Sequence, residues 1–253
     1  MPQTDNHGVR IHYRTEGSGP SLVLHHGFTS SMEGWYEYGY VDVLKRDYQL
    51  ILVDSRGHGA SDKPHDPAAY RLENRVGDVV AVLDALAVEK THFWGYSMGG
   101  WIGFGMAEFA PERVDRLVIG GQHPYAKSFE LFRQLMQTGI AQGKDAFVAA
   151  VEQTFGTLSP GYKARLREAD HLAYLAAAQD RVSLESILPQ MSMACCLYVG
   201  EADRLSPLDD VKAASRLIPG ARFFSLPGVD HLQGMVRSDL VLPRVMPFLQ
   251  GAA

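Results

Sequence analysis

The sequence predicts an α/β fold: a mostly parallel central sheet with helices on both faces, interrupted by a small all-helical segment before the last strands. Three observations predict it. Short apolar runs alternate with stretches of helical periodicity along most of the chain, which is the pattern of strand-helix-strand units. The alternation stops between residues 121 and 190, where only helical patterns occur. The 253 residues contain no Ser/Gly/Pro-rich linker, repeat or charge run that would divide them into separate domains. The expected organisation is a core of residues 1–120 and 191–253 with a helical cap of residues 121–190.

The elements follow in chain order. Residues 8–13 and 21–25 read as the first strands, separated by the turn sequence Glu16-Gly17-Ser18-Gly19-Pro20. Ser30-Ser31-Met32-Glu33 has the form of a capping box and predicts a helix running to about residue 45. Residues 49–53 form the next strand. From Leu72 onward, Val76, Val79, Val80, Leu83 and Leu86 fall on one helical face. A strand at 91–94, an apolar helix at 101–109 and a strand at 116–119 come next.

In the insertion, Phe129, Phe132, Leu135, Met136 and Ile140 mark one helix, and residues 147–155 and 162–178 mark two more. The alternation resumes with a strand at 194–199. Ser206-Pro207 followed by Asp209 and Asp210 predicts a helix start with a capping hydroxyl, and a strand at 221–226 and a helix at 240–249 close the chain.

Composition narrows the function. Charged residues are 21% and the formal net charge is −5, so no basic face points to nucleic acid or an anionic membrane. The first twenty residues are polar and no run approaches eighteen apolar residues, so a soluble, cytoplasmic protein acting on a small molecule is expected. Cys195 and Cys196 are adjacent in a strand, where side chains alternate faces, so no disulfide joins them. No H-x-x-x-H or C-x-x-C spacing occurs, and neither a metal nor another cofactor is expected.

The residues that carry chemistry are found by position. Trp94-Gly95-Tyr96-Ser97-Met98-Gly99-Gly100 contains a G-x-S-x-G, a pattern that a chain with 25 glycines can produce by chance. Its context gives it weight, because it lies between a strand and a helix, where flanking glycines relieve a strained turn. A serine hydroxyl is a poor nucleophile unless a base takes its proton, and that base needs an acid to hold it. In an open parallel sheet such groups lie beyond the carboxyl ends of strands. Ser97, Asp203 and His231 each follow a predicted strand in that way. Asp203 competes with Glu201, Asp209, Asp210 and Asp230. His231 competes with nine other histidines: His12 and His92 lie in strands, His65 and His171 read as solvated, and His123 stands where it can enter the pocket.

Together with His26-Gly27-Phe28 and Asp54-Ser55-Arg56-Gly57-His58-Gly59-Ala60-Ser61-Asp62, these residues resemble the α/β-hydrolase superfamily from about residue 8 to the end, excluding the cap. The resemblance implies a Ser97 nucleophile, an Asp203 acid and a His231 base, with the backbone N–H groups of Phe28 and Met98 as an oxyanion hole. It implies an esterase acting through an acyl-enzyme on small to medium, largely apolar substrates. Enol-lactonases and C–C bond hydrolases with the same triad remain alternatives, and so does a receptor on the same fold that binds without turnover. Trp35, Tyr36, His123, Tyr125, Phe129, Phe132 and Met136 are the candidate pocket residues. The lactonase and C–C hydrolase readings call for a cation in the pocket, from Arg133, Lys127 or His123.

Overall fold

A computed structural model of the protein describes residues 2–251. β1 (Gln3–Asn6) and β2 (Val9–Glu16) form an antiparallel hairpin whose two turn residues, His7 and Gly8, both have positive φ. That is the turn geometry matching the twist of paired strands. β1 was not legible as a strand because Gln3-Thr4-Asp5-Asn6 offers no apolar face. β3 (Ser21–His25) leads to two short helices, α1 (Glu33–Glu37) and α2 (Tyr40–Leu44), in place of the single helix expected from residue 30.

Gly39, at φ 78°, breaks that helix, and the expected capping box does not form. Ser30 bonds the Ser31 carbonyl instead, and Ser31 Oγ accepts from Glu33 N–H. Then follow β4 (Gln49–Val53), α3 (Leu72–Ala85), β5 (Thr91–Tyr96), α4 (Met98–Phe109) and β6 (Val114–Gly120).

Between β6 and the next strand the chain forms α5 (Glu130–Gln142), α6 (Lys144–Phe155), α7 (Pro160–Glu168) and α8 (His171–Ala177). The pattern over 162–178 is two helices, because Asp170 caps a new one by accepting from Leu172 and Ala173 N–H. β7 (Ala194–Gly200), α9 (Leu208–Leu217), β8 (Arg222–Leu226), α10 (Gln233–Val236) and α11 (Ser238–Leu249) complete the fold. Ser206 does not cap α9. Its hydroxyl donates to Gly121 O, which ties the loop after β7 to the end of β6.

The eight strands form one sheet in the order β1-β2-β4-β3-β5-β6-β7-β8, antiparallel at β1/β2 and β2/β4 and parallel elsewhere. Alternation along the strands separates two apolar layers. Val23, Ile51, Phe93, Leu117, Cys195 and Leu197 face the layer that contains α3, α4 and α9. Leu22, Leu24, Leu50, Trp94, Val118, Cys196 and Tyr198 face the layer that contains α1, α2 and α11. The two cysteines therefore point to opposite faces and are free. α4 carries four glycines where helix propensity favours alanine, and the reason is packing: a methyl on Gly103 would press on Leu117 and Phe93, and one on Gly105 on Leu72 and Val76. Among the described residues no helix is long and apolar enough to cross a membrane.

Candidate active site

Ser97 occupies the single residue between β5 and α4, at φ 52° and ψ −110°, a conformation that costs a non-glycine residue about 1–3 kcal/mol. The surrounding backbone maintains it. Ser97 N–H donates to Gly120 O at 2.8 Å, and Trp101 N–H donates to Ser97 O at 3.0 Å. The two glycines of the motif are required by close approach: a methyl on Gly95 would collide with the Gly99 carbonyl, and a methyl on Gly99 with the His25 carbonyl. The pattern is thus what lets the first turn of α4 cross the ends of β3 and β5.

The chain brings Ser97, His231 and Asp203 together from three separate strand ends. His231 Nε2 lies 3.0 Å from Ser97 Oγ, and His231 Nδ1 lies 2.7 Å from Asp203 Oδ2. A carboxylate can only accept, so Nδ1 carries the proton and Nε2 presents its lone pair to the serine hydroxyl. The Asp203 side chain is fully enclosed, and its other oxygen accepts N–H groups from Leu205 and Ser206 at 2.8 Å each. The backbone of His231 is fixed from below, where Tyr96 Oη donates to its carbonyl at 2.5 Å.

The rival acids point elsewhere. Glu201 accepts from Ser225, Asp230 accepts from Gln233 N–H beside α10, and Asp209 and Asp210 lie in the first turn of α9.

Met98 directly follows Ser97, and among the described residues neither its N–H nor that of Phe28 donates a hydrogen bond within the protein. Gly27 approaches the Ser97 side chain closely enough that a methyl there would touch Ser97 Cβ at 3.4 Å. Gly27 O accepts from His26 Nδ1 at 2.8 Å and from Ser30 N–H at 3.3 Å, and a trans peptide then sends the Phe28 N–H the opposite way. His26 Nε2 accepts from Ser55 N–H at 3.1 Å, and His58 Nε2 accepts from Thr29 N–H at 3.3 Å while its Nδ1 donates to Arg56 O at 3.0 Å.

Each of these roles needs a neutral ring. Burial, followed by nearby positive groups, holds His58 well below the usual histidine range, and burial also lowers His26. His25, enclosed beside His26, is held at about 3. The turn from Asp54 to Asp62 is built on the Asp54 carboxylate, which accepts from His12, Met32 N–H and Ala60 N–H.

Above Ser97 and His231 opens a cavity of about 450 Å³, within the range of small-molecule sites. The core contributes Gly27 to Ser30, Tyr38, Tyr96, Leu205, and Leu232, Met235 and Val236 from α10 and the residue before it. The insertion contributes Phe132, Phe155, Thr157, Leu158, Ser159, Pro160 and Tyr162. Among the described residues no Lys, Arg, Asp or Glu lines it.

Of the seven residues expected to wall the pocket, only Phe132 does so. Trp35 is fully buried on the other face of the sheet, against Tyr40 and Trp94, because α1 turns it inward. Tyr36 lies under Arg14 and donates to Glu16. His123 is buried against Tyr125, its Nδ1 accepting from Tyr125 N–H, and burial next to Lys127 and other groups lowers it to about 4. Phe129 stands one layer back, where its ring meets Phe28 and stacks on the Arg181 guanidinium that Trp101 covers from the other side. Met136 is fully buried within the insertion. His171, expected to be solvated, is also enclosed, 4.4 Å from the Phe147 ring.

Nor do the cations reach the cavity. Arg133 pairs with Glu130 and Asp180, and Lys127 donates to Leu205 O, with burial lowering its amine to about 8. Most of the wall residues that sequence reasoning missed lie in the α6–α7 connection and around α10. The second group could have been found, since it follows His231 directly. The first belongs to a link whose Gly156, Ser159 and Pro160 mark a helix boundary but not the direction it faces.

The model of the alpha/beta hydrolase fold family matches residues 20–195. Among curated proteins, the chain is 38% identical over 155 residues to the cis-3-alkyl-4-alkyloxetan-2-one decarboxylase of Shewanella oneidensis, a match covering 55% of this chain and 47% of that protein. The chain thus spans about half the length of that relative. Among solved structures, the enol-lactonase from Burkholderia xenovorans LB400 superposes with a TM-score of 0.86 at 24% identity, covering 98% of this chain and 100% of that one. An esterase from Rhodococcus sp. ECU1013 gives 0.85 at 24% identity, covering 99% and 98%. At that identity the likeness to both structures is one of fold.

Proposed function

The chain belongs to the alpha/beta hydrolase fold family, and from that premise we propose that it is a serine hydrolase cleaving carboxylic esters of small to medium, largely apolar substrates. Ser97 attacks the carbonyl carbon while His231 Nε2 takes its proton, and Asp203 holds the imidazole tautomer and stabilises the imidazolium. The N–H groups of Phe28 and Met98 receive the oxyanion, a contribution of about 3–4 kcal/mol per donor, and the N-terminus of α4 adds its dipole in the same sense. The alcohol leaves with the proton from His231. A water deprotonated by the same ring then releases the acid. The helices of residues 121–190 act as the cap over this site.

The observation that carries the ester reading is the composition of the cavity around Ser97 and His231. A lactone or dienoic ketone bearing a carboxylate would lose its hydration there without gaining a counter-charge, since Arg133, Lys127 and His123 are all engaged elsewhere. Uncharged esters enter without that cost.

The test has two parts. A fluorophosphonate probe should label Ser97, and Ser97→Ala should fold with an unchanged Tm while losing hydrolysis of p-nitrophenyl butyrate; wild-type turnover in that variant would sink the mechanism. A kcat/KM comparison across neutral esters, anionic lactones, thioesters and dienoic ketones should rank the neutral esters first. Turnover well above background also separates this reading from a receptor on the same fold.

A further inference from the structure

The loop that carries Phe28 contains an unexpected residue. Gly27 O accepts from Ser30 N–H, so residues 27–30 form a β-turn in which Thr29 is the third residue, at φ 63°. That position normally takes glycine, and a β-branched side chain there is strained by about 1–3 kcal/mol. If Thr29 relaxed to negative φ, Ser30 would turn away from Gly27 and its N–H bond to Gly27 O would be lost, freeing the 27–28 peptide that carries the Phe28 N–H. Two bonds made within the core oppose this: Thr29 N–H to His58 Nε2, and Thr29 Oγ1 to Phe28 O at 2.6 Å.

The third restraint comes from the insertion. Tyr162 Oη lies 2.6 Å from Thr29 Oγ1, and since the one Thr29 hydroxyl proton goes to Phe28 O, Tyr162 is the donor. Enclosure of the phenol pushes it up to about 12, so it keeps that proton at any working pH. α7 is itself held in place. Ser159 Oγ accepts Tyr162 N–H at 3.1 Å and donates to Glu37 of α1, Arg165 pairs with Glu37 at 2.7 Å, and Gly161 leaves no room for a side chain beside that carboxylate.

We propose that Tyr162 is a positioning residue for the oxyanion loop: by donating to Thr29 Oγ1 it holds the strained turn that aims the Phe28 N–H at the carbonyl oxygen of the substrate. This rests on the reading of Ser97 as nucleophile. The same helix walls the cavity, so the helix that meets the substrate is also the one that completes the oxyanion site.

The test compares wild type, Tyr162→Phe, Thr29→Gly and the double variant, with p-nitrophenyl butyrate as substrate and an alkyl trifluoromethyl ketone as the tetrahedral mimic. Tyr162→Phe should lower kcat about ten-fold with KM within about two-fold, and weaken the ketone by the same factor, a fraction of the 10²–10³ typical of removing a donor outright. Glycine adopts positive φ without strain and lacks the hydroxyl that Tyr162 meets, so Tyr162→Phe should be silent in a Thr29→Gly background, whatever activity that background has. Wild-type kcat and ketone affinity in Tyr162→Phe would overturn the proposal. So would a loss confined to KM, or additive losses in the double variant. Fluorophosphonate labelling of Ser97 in wild type separates the two failures: with labelling intact only the role of Tyr162 falls, and without it the nucleophile assignment falls and takes this proposal with it.

Discussion

The two walls of the cavity are built by different means. On the core side, Ser97, Asp203, His231 and Phe28 each stand a few residues beyond a parallel strand, and main-chain hydrogen bonds hold them: Ser97 N–H to Gly120 O, two N–H groups to Asp203, and the Tyr96 hydroxyl to the His231 carbonyl. On the insertion side, Phe132, Phe155, Leu158 and Tyr162 are held by side-chain packing and by a few pairings to the core, such as Ser159 and Arg165 with Glu37. The first wall is set by the sheet, and its atoms have little freedom. The second is set by how four helices stack, so apart from the Tyr162 contact to Thr29 its shape can differ while the chemistry stays intact.

The strongest way to break this contrast is to disturb the core wall without disturbing the fold. In Asp203→Asn the amide oxygen would keep the two N–H donors of Leu205 and Ser206, which turns the NH₂ toward His231 Nδ1. The ring must then accept at Nδ1 and carry its proton at Nε2, facing Ser97 with a donor where a base is needed. We expect kcat to fall by roughly 10³–10⁴ with Tm nearly unchanged. A loss under ten-fold would mean that Asp203 does not control the tautomer.

The same contrast explains what could be read from the sequence. Strand-helix alternation and the G-x-S-x-G elbow are local patterns tied to backbone geometry, so the sheet and the placements of Ser97, Asp203 and His231 were legible. Gly95 and Gly99 show why, since each is dictated by a carbonyl less than a side chain away. Trp35 and Met136 show where local pattern fails. Both are large apolar residues near site segments, yet α1 turns one beneath the sheet and α5 turns the other into the insertion. Which way a helix faces is decided by packing partners distant in sequence, as with Trp35 and Trp94 or the bond between Thr29 and Tyr162, and no short window records that.

A smaller effect distinguishes the two regions by pH. His25 and His123, held at about 3 and about 4, stay neutral in the folded chain, and burial lowers His26 and His58 as well. In the unfolded chain each takes a proton below about pH 6.5. The unfolded state therefore binds more protons, stability rises with pH in this window, and acidification removes it from about pH 6.5 down toward 4. Each ring contributes at most about 1.4 kcal/mol per pH unit. Urea midpoints should fall steadily between pH 7 and pH 5; a flat profile would mean that the rings charge inside the fold. Three of the four rings, His25 at the end of β3 and His26 and His58 in the loops beyond it, lie on the core side, so hydrogen exchange from β3 and β5 should respond to acid more than exchange from α5 to α8.

The mildest change tests the insertion wall. Leu158 is buried at the cavity face and follows α6, with its N–H donated to Glu152. Leu158→Ala removes three carbons from the wall and leaves Ser97, His231, Asp203 and the Thr29–Tyr162 bond untouched. One methylene in an apolar pocket is worth about 1–3 kcal/mol of discrimination. Short acyl esters should therefore lose about ten-fold in kcat/KM, mostly through KM, while kcat stays within about two-fold. Esters two or three carbons longer should gain. If the loss falls on kcat for every chain length alike, the insertion acts on the chemistry at more points than Tyr162, and the division between a wall that reacts and a wall that selects does not hold.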